Sequence, residues 1–147
     1  MKLVAYFSAT GTTRKYAEAL SKKIDAELFE IRPEVPYSKG DLNYINPFSR
    51  TTKEMTNKKS RPDFVEKLDS IDKYDTIYVG FPCWWFTCPH IINTFLEHYD
   101  FNNKNVKIFF TSGSTKEDKV SKSLSDYKFI SSVTRIASME DLDKLND

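Results

Sequence analysis

Apolar runs and amphipathic stretches alternate along the chain. Leu3–Phe7, Thr76–Phe81 and Val106–Thr111 are near-continuous apolar segments, the pattern of parallel strands covered on both faces. Ala26–Ile31 alternates in character, and Phe129–Ile136 carries Ser131, Ser132, Thr134 and Arg135 within it. These two suit the edges of a sheet. Between the runs lie apolar stripes at helical spacing: Ala17, Leu20 and Ile24 within Thr13–Ile24; Phe64, Val65, Leu68 and Ile71; Ile91, Ile92, Phe95 and Leu96; Val120 and Leu124. Each stripe can lie against a sheet. Met139–Leu145 reads as a short closing helix. Five strands joined by right-handed crossovers make an α/β protein, a three-layer αβα sandwich with helices on both faces of a parallel sheet.

The length of 147 residues fits one domain over 1–147 with a real core. With 39% hydrophobic and 29% charged residues the chain is not disordered. A net charge of +1 points to neither nucleic acid nor an anionic membrane. No apolar run approaches the ~18 residues of a membrane span, and Met1-Lys2 leads straight into a strand rather than a signal peptide, so the expected location is the cytoplasm. Cys83 and Cys88 make no disulfide framework, and with His90 and His98 they fit no zinc spacing, so no metal is expected. The segment from Arg32 to Asp63 breaks the alternation, far exceeding the ~4–6 residues of a usual connection. From Ser38 to Asp63 it holds Lys39, Arg50, Lys53, Lys58, Lys59 and Arg61 against Asp41, Glu54 and Asp63, a local +3. It is either a lid or docking surface, with Arg50 and Arg61 meeting an anionic partner, or a solvated excursion in which those arginines pair internally.

Two loops carry the candidate chemistry. Ser8-Ala9-Thr10-Gly11-Thr12-Thr13 lies between the first strand and the first helix. Its hydroxyls, its glycine and the positive helix end can cradle a phosphomonoester, or it is an ordinary hydroxyl-rich helix cap. It lacks the lysine of nucleoside-triphosphate loops and the further glycines of a dinucleotide turn. The second loop, Pro82-Cys83-Trp84-Trp85-Phe86-Thr87-Cys88-Pro89, holds both tryptophans of the chain. It follows a strand and precedes a helix that Pro89 can start, which puts the aromatics where open α/β sheets bind ligands. They form a platform for a flat ring, unless they are core tryptophans. Which of the two would stack is not readable. A phosphatase loop of a cysteine, five residues and an arginine is excluded, because Cys83 leads to Pro89 and Cys88 to Thr94. His90 and His98 read as ordinary helix surface.

The run Ser8-x-Thr10-Gly11-x-Thr13-x-x-x-Ala17-x-x-Leu20 resembles the flavodoxin signature for an FMN phosphate. Gly80-Phe81-Pro82-x-Trp84-Trp85, Ile91-Ile92-Asn93-Thr94-Phe95-Leu96-Glu97, Ser49-Arg50, Glu54-Met55 and Ser60-Arg61-Pro62 are similar to a bacterial branch of flavodoxin-like proteins. The resemblance implies a flavodoxin-like fold with five parallel strands in the order 2-1-3-4-5, and noncovalent FMN. It implies that Ser8, Ala9, Thr10, Gly11, Thr12 and Thr13 hold the phosphate. Pro82, Cys83, Trp84, Trp85 and Phe86 would face the isoalloxazine, and Thr111, Ser112, Gly113 and Ser114 would form a second flavin loop. The chain departs from that pattern in lacking strong acidity and in placing Cys83 where an aliphatic residue is expected. No Ser/His/Asp or Cys/His set is evident, so the expected function is low-potential electron transfer between a reductase and an acceptor protein. The alternative is an FMN-dependent NAD(P)H quinone or flavin reductase. A nucleotide-like binding module without redox chemistry is a third reading.

Overall fold

The structure, a computed structural model, describes residues 1–145. In chain order it comprises β1 (Lys2–Tyr6), α1 (Thr12–Ile24), β2 (Glu27–Glu30), β3 (Arg32–Pro33), α2 (Arg50–Thr56), β4 (Phe64–Val65), β5 (Thr76–Pro82), α3 (His90–His98), β6 (Asn105–Thr111), α4 (Glu117–Ser123) and β7 (Ile130–Arg135), closed by a 3-10 helix over Met139–Leu145. The main sheet is parallel and five-stranded, in the order β2-β1-β5-β6-β7, with β3 and β4 forming a separate antiparallel ribbon. The order expected from five strands left that ribbon out, so the strand numbering differs. The two mixed runs do lie at the edges, as β2 and β7.

Alternation along each central strand sorts its side chains between two cores. Leu3, Ala5 and Phe7 pack with Ile77, Val79 and Phe81, with Val106, Ile108 and Phe110, and with Ile91, Ile92, Phe95 and Leu96 of α3 and Val120 of α4. Val4 and Tyr6 pack on the other face with Tyr78, Phe109, the α1 residues Tyr16, Ala17 and Leu20, and Leu142 and Leu145 of the 3-10 helix. The stripes of α1, α3 and α4 are thus the contacts that make three layers.

The stripe Phe64, Val65, Leu68 and Ile71 does not form a helix. Phe64 and Val65 pair with Pro33 and Arg32, and Glu66 follows with a left-handed φ of 56°. Phe64 is buried among Phe29, Phe95 and His98. Ring packing and strand pairing override the helical spacing there. The long excursion in turn contains a helix the periodicity did not show, α2, capped by Ser49, whose hydroxyl accepts from the Thr52 N–H at 3.4 Å. No helix among the described residues is long and apolar enough to cross a membrane, and no cluster of groups that could hold a metal occurs among them.

Candidate functional site

The chain leaves β1 for α1 and the β2 side of the sheet, and leaves β5 for α3 and the β6 side. Between the carboxyl ends of β1 and β5 a crevice results, the place where open α/β sheets bind ligands. A cleft of about 570 Å³ opens there. Its walls come from the hydroxyl loop (Ala9, Thr10), from the end of β5 and the aromatic loop (Pro82, Cys83, Trp84, Trp85, Phe86), and from the long excursion (Leu42, Tyr44, Thr51).

The aromatic loop is a tight turn. Trp84 and Thr87 exchange backbone hydrogen bonds of 2.9 and 3.0 Å, and Trp85 and Phe86 between them have left-handed φ values of 54° and 66°. Two such residues in a two-residue turn usually call for Gly or Asn. Aromatic residues there carry strain of about 1–3 kcal/mol each, the kind stored at ligand sites. The strain sets two rings at the tip, Trp85 43% and Phe86 64% exposed. Trp84 differs: its ring lies edge-on to Phe7 at 5.5 Å and to Tyr37 at 5.4 Å, half-buried against the core. One tryptophan is therefore core-anchored and the other free at the tip, and both line the cleft.

Gly11 caps α1 with a φ of 95° and no side-chain cap, and its N–H donates to Ser8 Oγ at 3.0 Å. Its Cβ position is open, so conformation rather than space selects glycine. The first N–H groups of α1 therefore face the loop without a capping side chain. Thr10 and Thr12 are exposed beside them. Thr13 is not: it is buried, and its hydroxyl shares a 2.9 Å hydrogen bond with Thr111 Oγ1, tying the start of α1 to the end of β6. Thr111, Ser112, Gly113 and Ser114 are not among the lining residues. Their loop is fastened from two sides. The Thr111 carbonyl accepts the Cys83 N–H at 2.8 Å, and the Arg135 guanidinium donates to Ser112 Oγ at 3.1 Å, to the Ser112 carbonyl at 3.2 Å and to the Gly113 carbonyl at 3.0 Å.

Leu42, Tyr44 and Thr51 also line the cleft and were missed by sequence reasoning; the apolar and aromatic residues of the excursion were a signal for Leu42 and Tyr44, and none pointed to Thr51. The excursion's arginines pair internally. Arg50 bonds Glu54 at 3.0 Å and the Val35 carbonyl at 2.7 Å, and its guanidinium lies 3.7 Å from the centre of the Tyr37 ring. Tyr37 donates to Glu54, and burial, followed by that hydrogen bond, raises its phenol pKa. Arg61 forks onto Glu97 of α3 at 2.9 and 3.2 Å. That fork holds the Glu97 carboxyl below its ordinary range. Pro89 stands at the cap of α3 rather than its first turn. His90 is no surface histidine: it is half-buried, with Nδ1 2.5 Å from Ser60 Oγ, and burial lowers its pKa. His98 is exposed as expected.

Cys83 lines the cleft and Cys88 is fully buried, its thiol 3.3 Å from Asn93 Oδ1. Burial raises both thiols, Cys88 to about 12. Alkylation of the native protein at pH 8 is expected to be slow at Cys83 and absent at Cys88 until the protein unfolds, since only the thiolate reacts. Mass mapping checks this; native labelling of Cys88 would contradict its placement.

A sequence model described as flavodoxin matches residues 1–137. The fold is similar to a protein from Bacteroides uniformis ATCC 8492, provisionally described as a flavoprotein, with 41% identity over 99% of this chain and 96% of that one and a TM-score of 0.90. A similarly described protein from Bacteroides eggerthii DSM 20697 is 34% identical over 98% of this chain and 94% of that one, with a TM-score of 0.91. A flavoprotein from Lactobacillus acidophilus NCFM, crystallised in complex with FMN, shares the fold at 24% identity over 99% and 98% of the two chains, with a TM-score of 0.74. A comparison with curated proteins finds no match.

Proposed function

The chain belongs to the flavodoxin family, and from that premise we propose that it binds FMN noncovalently in the cleft between β1 and β5 and carries low-potential electrons between protein partners, a reductase and an acceptor. The observation that carries the reading is the junction of two surfaces that no single smaller ligand needs: an apolar, aromatic-walled cleft and, continuous with it through Ala9 and Thr10, an uncapped helix start flanked by free hydroxyls. A flat ring with a phosphate tail fits both. The volume lies within the usual range for a cofactor site, about 300–1,000 Å³. Flavodoxins are among the folds on which the crevice rule itself rests, and the Lactobacillus protein of the same fold holds FMN.

When bound, FMN supplies reversible one- and two-electron chemistry. The protein's residues orient it and set its surroundings. The α1 N–H groups with Thr10 and Thr12 hold the phosphate, while Ser8 and Thr13 keep the loop in shape through Gly11 and Thr111. Pro82, Cys83, Trp84, Trp85 and Phe86 form the ring's wall. The lining contains no lysine, arginine, histidine or carboxylate, so negative charge gained by the ring meets no cation, which pulls its potential down. That lining also offers no charged group to hold a pyridine dinucleotide, which favours the carrier over the reductase. Tyr44, Trp85 and Phe86 line the cleft and are exposed, and Ile45 and Phe48, close to Tyr44 in the chain, are exposed as well, apolar surface suited to a protein partner. Steady-state oxidation of NADPH or NADH by the FMN-loaded protein with a quinone acceptor separates the two readings: a carrier turns over only when a reductase is added, and turnover without one overturns it.

Trp85→Ala is expected to weaken FMN binding by roughly 1–3 kcal/mol, the worth of a stacked ring, while leaving the melting temperature nearly unchanged. Trp84→Ala is expected to lower the melting temperature as well, because its ring also packs on Phe7 and Tyr37. Fluorescence titration and thermal unfolding of the two variants check the contrast. Wild-type affinity in both would remove the aromatic loop from the site.

A further inference from the structure

The Trp85–Phe86 tip has a second side. Behind it lies another cleft, of about 690 Å³, bounded by Met55 and Lys58 at the end of α2, by His90, Asn93 and Glu97 along α3, and by Lys119, Lys122 and Tyr127. Four cations line it (Lys58, Arg61, Lys119, Lys122) against two carboxylates (Glu97, Asp126). Arg61 and Glu97 cancel each other in their fork, and Glu97 also accepts from Tyr127, which in turn accepts from Asn93 Nδ2 at 2.9 Å. Lys58, Lys119 and Lys122 form no ion pair among the described residues. The cleft is therefore basic on its rim and satisfied along its α3 wall.

The hydrogen bonds also fix the state of His90. Ser60 has one hydroxyl proton, and Oγ donates it to the Glu54 carbonyl at 2.7 Å. The contact of 2.5 Å to His90 must then run the other way, with Nδ1–H donating to Ser60 Oγ. In the neutral ring Nε2 is left as the acceptor. Burial, and after it the Arg61 charge, disfavours protonation of the ring and outweighs the Glu54 carboxylate and carbonyl, which favour it. The second cleft thus combines an aromatic and methionine wall, unpaired ammonium groups and a histidine nitrogen that accepts.

We propose that this second cleft binds an aromatic hydroxy acid, with its carboxylate on Lys119 and Lys122, its ring against Trp85 and Phe86, and its hydroxyl donated to His90 Nε2. The site is separate from the FMN cleft and shares with it only the tip. Each of the three ligand features answers one feature of the walls, and a ligand lacking one of them loses that contact alone.

Isothermal titration with 6-hydroxy-2-naphthoate, 2-naphthoate and 2-naphthol tests this on the protein with and without saturating FMN. The hydroxy acid is expected to bind in both states. Removal of the carboxylate, in 2-naphthol, is expected to weaken binding roughly tenfold, and removal of the hydroxyl, in 2-naphthoate, by roughly fivefold, the scale of one charge-assisted and one neutral hydrogen bond. Lys119→Ala with Lys122→Ala is expected to abolish the preference for the acids while FMN affinity stays at the wild-type value. His90→Phe is expected to equalise the two acids; if that variant does not fold, the comparison of the two acids on the wild-type protein decides the hydroxyl contact. Unchanged binding by the lysine variant, equal affinity for the three probes, or loss of all binding when FMN is added, which would place the probe in the first cleft, overturns the proposal. Failure of FMN to bind would overturn the cofactor reading alone.

Discussion

Riboflavin is expected to bind the protein at least a hundredfold more weakly than FMN. The difference between the two ligands is the phosphate, whose proposed place is the start of α1. Gly11, at a φ of 95°, turns the chain so that α1 begins without a capping side chain, leaving backbone donors and the positive end of a thirteen-residue helix toward the loop. Charge-assisted hydrogen bonds contribute roughly 1.5–3 kcal/mol each, so the loss of only two amounts to about 3 kcal/mol or more, a factor of about a hundred. Single changes divide the effect. Thr10→Val and Thr12→Val should weaken FMN without altering riboflavin, whereas Thr13→Val should cost stability, because its hydroxyl is buried against Thr111. Gly11→Ala should do both, forcing an L side chain into a left-handed conformation at about 1–2 kcal/mol and displacing the N–H groups. Quenching of flavin fluorescence on titration measures each case. Equal affinities for riboflavin and FMN would remove the hydroxyl loop from the site.

The division between what the residues disclosed and what they hid follows the range of the interactions. The apolar runs Leu3–Phe7, Thr76–Phe81 and Val106–Thr111 report strands buried on both faces, because burial acts on each residue wherever its partners come from. The hydroxyl loop and the aromatic loop were legible for a related reason: both lie at strand-to-helix junctions, and junctions of parallel strands at the carboxyl edge converge on one crevice. What was hidden depends on pairs far apart in the chain. Phe64 and Ile71 have helical spacing, yet Phe64 is claimed by Phe29 and Phe95, and no local rule weighs those rings against a helical turn. Thr13 reads as a phosphate residue by its neighbours, and what they do not disclose is that its hydroxyl is bonded to that of Thr111, 98 residues away. Leu42, Tyr44 and Thr51 enter the cleft because Arg50, Tyr37 and Glu54 fold the excursion back on itself. His90 reads as helix surface from its neighbours in the chain, whereas Ser60, thirty residues earlier, lies against its ring.

Gly80→Ala is expected to be the most destabilising single methyl addition near the site. Gly80 stands in β5 beside Tyr6 of β1 and opposite Phe109 of β6. A Cβ there would lie 2.1 Å from Phe109 Cζ and 2.3 and 2.7 Å from its two Cε atoms, where carbon atoms settle at about 3.5–4.0 Å. The ring cannot step aside, since Phe109 is fully buried with Tyr16, Ala17, Leu20 and Tyr78. The strand has to move instead, and Gly80 also accepts the Phe7 N–H at 3.0 Å, so the shift reaches the residue on which Trp84 rests. Overpacking of this kind costs about 1–3 kcal/mol and occasionally more, against which the lost flexibility of the unfolded chain returns about 0.4–1 kcal/mol. An overlap as close as 2.1 Å puts the cost at the upper end of that range, leaving about 2–2.6 kcal/mol net. At roughly 2–4 °C per kcal/mol for a chain of this size the melting temperature should fall by about 4–10 °C, with FMN affinity falling too. Phe109→Leu removes the atoms that collide. Alone it should destabilise by leaving a cavity, yet combined with Gly80→Ala it should cost clearly less than the sum of the two, by about 1 kcal/mol or more, as expected of residues in direct contact. An additive double variant, or an unchanged melting temperature for Gly80→Ala, would mean that the Phe109 ring does not lie over Gly80 and that something other than this contact fixes the approach of β5 to the cleft.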